Sequence, residues 1–200
     1  MAEVSRLTVV WSGFTGAPGY SKFSFMPLAD DTARNAAGAA LRTFLGAAVI
    51  AYMPNGSSLQ ISPMVDNVDS VSGELLGTAA MSAVPAILNS GLAATAHAAG
   101  SGFVITWGAA GVFNGRRIKG RTFVVPAVGV YDTNGTITSA VITNVESAGA
   151  TLMAAAGADL AVWNRQYDES THTIPIAGIV TSATSCTVKD MASQLRSRRL

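Results

Sequence analysis

Charge is scarce in this sequence: Asp, Glu, Lys and Arg make up 12% of its 200 residues, whereas apolar types make up 49%. A free-standing domain of this size carries about 25% charged residues, because it must solvate its own surface. The shortage implies that part of the surface is covered, and copies of the same chain are the simplest cover. Cysteine is nearly absent as well. With Cys186 alone, an intrachain disulfide and a cysteine-based metal cluster within one subunit are excluded, so stability has to come from packing and from partners. Long apolar runs are also missing, despite a mean hydropathy of +0.36. The strongest, Ala36 to Met53, is interrupted by Arg42 and Thr43 and is largely alanine and glycine, short of the ~20 strongly apolar residues a membrane span needs. The opening residues Met1-Ala2-Glu3-Val4-Ser5-Arg6 lack the basic region and apolar core of a secretory leader. A soluble chain with no membrane partner is expected, and the sequons at Asn55 and Asn134, each followed by Gly, read as turns without glycan.

The formal net charge of +1 argues against a strong field over the whole molecule, but its distribution is uneven. Between Arg42 and Arg116 there is no Lys or Arg. Arg116, Arg117, Lys119 and Arg121 then cluster, as do Arg196, Arg198 and Arg199, so that seven of the thirteen basic residues lie in two short segments.

Periodicity supplies the elements. Leu7 to Trp11 and Lys22 to Pro27 read as strands, separated by a turn-rich Gly16-Ala17-Pro18-Gly19, either as a long hairpin or as strands in facing sheets. Asp30 or Asp31 can cap a helix in which Ala33, Ala37, Leu41, Phe44 and Ala48 recur on one side. Leu59 to Ile61 is a short strand before Pro63, and Met64 to Val71 with Glu74 to Ala79 form a hairpin about Ser72-Gly73. Ala83 to Gly102 has too weak a period to assign. Phe103 to Trp107 and Arg121 to Val125 are strands, connected by the Asn114-Gly115 turn and the basic segment. A second helix spans about Ile137 to Ala156, with Val141, Val145, Ala148 and Leu152 as its stripe and Gly157 as its stop. Asp159 to Trp163 is a strand, Asn164 to Thr173 a polar loop, and Ile174 to Val180 and Thr184 to Val188 are strand-like. No repeat or linker divides the chain, so residues 1–200 are expected to form one assembly domain. The fold class is α+β, predominantly antiparallel β with two main helices, in the manner of a decorated β-sandwich or a single jelly roll.

The search for chemistry returns little. His97 stands in alanine-rich surroundings, and His172, beside Asp168 and Glu169, lacks the closely spaced ligands that mark a metal site. Cys186 reads as a small buried thiol, and a nucleophile pair with His172 would require the fold to bring them together. Asp66, Asp69 and Glu74 superficially resemble a calcium loop, but Val68 and Val71 occupy its third and sixth positions, which favours the hairpin. Nucleophile-elbow, phosphate-loop and zincin motifs are absent. No catalytic residue, cofactor or metal is expected, and the chain is read as not an enzyme. Trp11, Trp107 and Trp163 fall in strands and read as packing residues before base-stacking ones. Recognition is best placed in the two basic clusters. Arg116, Arg117, Lys119 and Arg121 suit contact with phosphates, pairing with acids of a neighbouring copy such as Asp66, Asp69 or Glu74, or plain solvation. Arg196, Arg198 and Arg199 suit the same roles at the C-terminus.

Val10-Trp11-Ser12-Gly13-Phe14, Gly115 to Phe123, Leu160-Ala161-Val162-Trp163 and Leu195 to Arg199 together resemble segments of small structural proteins encoded by viruses or phages with compact genomes. The resemblance is scattered over most of the chain. It implies a coat (capsid) protein, a jelly-roll subunit of an icosahedral shell built from many copies around a small packaged genome, located in the virion after assembly in host cytoplasm or nucleus. Such coats often carry a strongly basic arm, whereas here Arg6 alone precedes Lys22, so genome neutralisation would fall to the internal cluster or the C-terminus. A phage tail-tube or head–tail connector subunit is the main alternative, followed by a nucleic-acid-binding module or an enzyme.

Overall fold

Alternation in the first strand sets the architecture. In the computed structural model, which describes residues 3–12, 19–25, 27–53, 55–69, 74–91, 103–113, 116–124, 137–155, 161–165 and 183–190, β1 (Glu3–Ser12) buries Leu7 and Val9 and exposes Val10, as a strand with one face on a core must. It pairs antiparallel with β2 (Gly19–Phe25), from Ser5 opposite Phe25 to Trp11 opposite Gly19. The hairpin alternative is therefore the one adopted.

The helix α1 (Asp31–Ala48) follows, and its start is fixed by the Asp30 carboxylate accepting the Ala33 amide at 2.8 Å. It buries Ala37, Leu41, Phe44, Leu45 and Ala48, at the spacing of one helical face, and a single 3-10 turn, Ile50–Tyr52, closes the segment. Gly56, at φ 83, supplies the left-handed residue of the turn that leads into β3 (Ser58–Asp69). β3 pairs antiparallel with β1, with β4 (Leu75–Ala80) and with the two-residue β5 (Leu88–Asn89). The reading of a strand that ends before Pro63 is corrected, since β3 runs straight through it. The ladder to β1 shifts register between Leu7 and Val9, where Ser62, Pro63 and Met64 face Thr8 alone. Proline sits in that bulge, where its missing N–H costs no ladder bond, and its carbonyl accepts the Met81 amide at 2.8 Å.

A second, three-stranded sheet has the order β7-β6-β9, from β6 (Phe103–Phe113), β7 (Arg116–Val124) and β9 (Ala183–Asp190). The helix α2 (Ser139–Ala155) packs against α1 and β9, and Asn144 ties the two helices by donating to the Ala47 carbonyl at 3.1 Å and the Tyr52 hydroxyl at 2.9 Å. β8 (Ala161–Arg165), placed slightly later in sequence than expected, pairs with β2, which gives the larger sheet the order β4-β3-β1-β2-β8 with β5 on β3. One continuous apolar core draws on both sheets and both helices, including Leu7, Phe23, Ile61, Ile105, Leu41, Phe44, Val145 and Leu152. Phe23 and Phe44 meet edge to face at 6.3 Å, an arrangement that adds about 0.5–1.5 kcal/mol beyond burial. The fold is α+β, mainly antiparallel sheet with two helices.

Candidate functional site

The basic segment is a strand, not the connection that sequence spacing suggested. Arg116, Arg117, Lys119 and Arg121 all lie in β7, which pairs antiparallel with β6 as the second arm of a hairpin. Arg116 is opposite Phe113, Arg117 opposite Val112 and Arg121 opposite Thr106. The ladder shifts between Trp107 and Gly111, so Gly108, Ala109 and Ala110 face Lys119 alone. Arg117, Lys119 and Arg121 fall at alternate positions of the strand, and Arg116 takes the other parity. β7 forms one edge of its sheet, and β8, the end strand of the larger sheet, lies against it without pairing. The cations are thereby strung along one strand where the two sheets meet. Arg196, Arg198 and Arg199 lie outside the described residues, as do His97 and His172.

Two of the acids considered as partners for these cations have other surroundings. Asp66 is opposite Arg6 in the β1–β3 ladder. Burial lowers the Arg6 guanidinium from its ordinary value, and the charge of Asp66 opposes that shift. Asp69 is 3% exposed, with its amide donating to the Glu74 carbonyl at 2.9 Å, where β3 passes into the hairpin with β4. Glu74 is exposed. Among the described residues no group of His, Cys, Asp and Glu is placed to hold a metal ion, and no helix is long and apolar enough to cross a membrane.

At the far end of the larger sheet stands a second candidate that motif reasoning missed. β4, Leu75-Leu76-Gly77-Thr78-Ala79-Ala80, is uncharged and forms the sheet's edge. Leu75 is 57% exposed and Leu76 50%, and on the stretch that follows Val84 and Ile87 are 56% and 50% exposed. This stretch is held to α1 by polar side chains that grip its backbone. Arg34 Nε donates to the Ala80 carbonyl at 2.9 Å and Arg42 Nε to the Ala86 carbonyl at 3.3 Å. Asn35 accepts the Ala83 amide at 3.1 Å and donates to the Ser82 hydroxyl at 3.0 Å. The Asp31 carboxylate accepts both the Ser82 amide, at 3.0 Å, and the Ser82 hydroxyl. Those contacts, the hydroxyl foremost, hold Asp31 below its ordinary carboxylate value. Met81 anchors the stretch in the core at 2% exposure, over Gly38, where an added Cβ would come within 2.9 Å of the Met81 sulfur. Polar groups and Met81 thus fix the stretch while Leu75, Leu76, Val84 and Ile87 stay outward. The signal for this region was present in the sequence as an absence, the lack of any Lys or Arg between Arg42 and Arg116.

No family model matches the chain, and no curated protein or solved structure matches it either. The candidate site rests on its own geometry.

Proposed function

We propose that this chain is a viral coat protein, a self-assembling subunit of a closed icosahedral shell that packages a small genome and resides in the virion. The observation that carries the reading is the contrast between two unlike ends of the strand array: an uncharged edge, β4, with Leu75 and Leu76 exposed on it and Val84 and Ile87 exposed beyond it, and a cationic strand, β7, of the smaller sheet where that sheet meets the larger one. Apolar area of this kind marks an interaction surface, and a chain with 12% charged residues has little means of solvating it alone. A row of cations suits contact with a phosphate backbone, which binds by charge neutralisation and counterion release without base readout. A shell subunit needs both kinds of surface, one toward its neighbours and one toward the packaged nucleic acid. The reading requires no catalytic step and no cofactor.

Purified protein examined by sedimentation and negative-stain microscopy tests it. Closed spheres whose absorbance ratio at 260 and 280 nm indicates nucleic acid are the expected result. Rings or tubes would replace the shell with a tail-tube or connector role. A stable monomer of 20.4 kDa over a broad concentration range would overturn the structural-subunit reading altogether.

A further inference from the structure

The character of the β4 edge points to a particular neighbour. An edge strand offers a row of backbone N–H and C=O groups, and natural sheets shield such rows with Lys, Pro, inward charges or a covering element. β4 has neither charge nor proline; its one shielding irregularity is a bulge at Leu76, where the ladder to β3 shifts register. From position 77 to 80 the ladder is regular, and among the described residues no strand pairs with its outer side. The partner that fits is another extended strand. The bonds from Arg34 and Arg42 hold the following stretch on α1, and Leu75 and Leu76 stay exposed.

We propose that β4 is a two-fold interface, pairing antiparallel with β4 of a second copy so that the six-stranded sheet continues across the subunit boundary. This rests on the self-assembly reading above and names one of its contacts. Three considerations favour a second copy over a foreign strand. A two-fold contact places the same patch on both sides, so charges near its axis would face their own kind, and Leu75 to Ala80 holds none. With the axis at Gly77 or Thr78, the neighbouring acid Glu74 lies three or four residues away along the chain and so not opposite its own copy. A strand of six residues spans only about 20 Å and needs apolar flanks to approach the roughly 800 Å² per partner of a stable interface. Those flanks are on both sides of it: Leu75 and Leu76 on the strand, Met64 opposite Ala80 on β3, and Val84 and Ile87 beyond its end.

The symmetry gives a sharp test. A two-fold axis perpendicular to a sheet preserves which face a side chain takes, so along the regular stretch from position 77 to 80 opposed residues must have the same parity and one residue must face its own copy. Single cysteines placed in turn from position 75 to 80, in a Cys186→Ser background, should therefore form a disulfide dimer at Gly77 or Thr78 and not at the positions directly flanking it. A flanking pair is offset along the strands by roughly two residues, about 7 Å, beyond disulfide reach. Gly77 has open space for the new Cβ. In parallel, Thr78→Lys and Thr78→Glu should each weaken self-association several-fold, because with the axis at either Gly77 or Thr78 the exposed position 78 lies within about 7 Å, along the strands, of its own copy and like charges are apposed. Mixing the two variants should restore it. Circular dichroism checks that each variant is folded, and the cysteine series decides by itself if one is not. Assembly that continues with no disulfide at any of these positions would overturn the β4 interface and leave the coat reading standing. Cross-linking spread evenly over adjacent positions, or lost association that mixing does not restore, would likewise overturn the two-fold pairing. A chain that stays monomeric would overturn both.

Discussion

The β4 end and the β7 end of this molecule are both built from strand edges, yet they use arginine in opposite ways. Beside β4, Arg34 and Arg42 reach from α1 to the carbonyls of Ala80 and Ala86, so two cations serve to hold backbone in place while apolar side chains face outward. Along β7, Arg116, Arg117, Lys119 and Arg121 follow one another within one strand. Close spacing of like charge is unfavourable unless an anion or solvent offsets it. The lesson is that an arginine count says little about binding: a cation on a helix beside a free carbonyl is a structural tie, and a row of cations along one strand is a candidate contact for a polyanion.

The sharpest way to break this contrast is to remove the charge of β7. Replacing Arg116, Arg117, Lys119 and Arg121 by Gln should leave particle formation intact and empty the particles of nucleic acid, read from yield and the 260 to 280 nm absorbance ratio. If all four reach phosphate, wild-type binding to a nucleic acid should fall about a hundredfold between roughly 50 and 200 mM salt, and the variant should lose most of that slope. Lost assembly without nucleic acid would instead make β7 a subunit contact, and an unchanged slope would remove its recognition role.

Smaller effects are expected at the other end. Gly38→Leu drives a side chain into the space taken by Met81 and Pro85, whose atoms lie 2.9 and 3.4 Å from an added Cβ. Overpacking there should cost about 1–3 kcal/mol, measured by denaturant unfolding, and should loosen the stretch that follows β4. Unchanged stability would mean the stretch does not sit on α1 as described. Asp30→Ala removes the cap on the Ala33 amide and should cost about 1 kcal/mol without altering nucleic-acid content.

The smallest effect is acid sensitivity at Asp31. Its folded value lies below the ordinary 3.8, chiefly through the Ser82 hydroxyl and then the Ser82 amide. A carboxylate depressed in the folded state contributes stability that is fully present above its unfolded value and is lost as pH falls through the folded one. The gap in melting temperature between wild type and Asp31→Asn should therefore be open at neutral pH and narrow below about pH 4. A gap of equal size at both ends would detach the Ser82 contacts from the ionised form.

How much of this was legible beforehand follows the range of the forces involved. The α1 cap at Asp30, the stripe Ala37, Leu41, Phe44 and Ala48, the α2 stripe Val141, Val145 and Leu152, and the β3–β4 hairpin are all set by residues within a turn or two of each other, and the sequence pattern found them. The cationic cluster was equally visible, because charge density along a chain needs no fold to be read. By itself, then, the sequence determined the α+β class, the two helices and where the positive charge is concentrated. Tertiary structure alone decided the rest. It carried β3 through Pro63 by setting the proline in a bulge against β1, and it turned the basic segment from a connection into a strand by pairing it with β6. It also engaged Arg34 and Arg42 with carbonyls more than forty residues away. Each of these depends on partners distant in sequence, and no local period or propensity records which distant backbone a side chain will meet. The open β4 edge belongs to the same class, since whether a strand is central or terminal is a property of the finished sheet and not of its six residues.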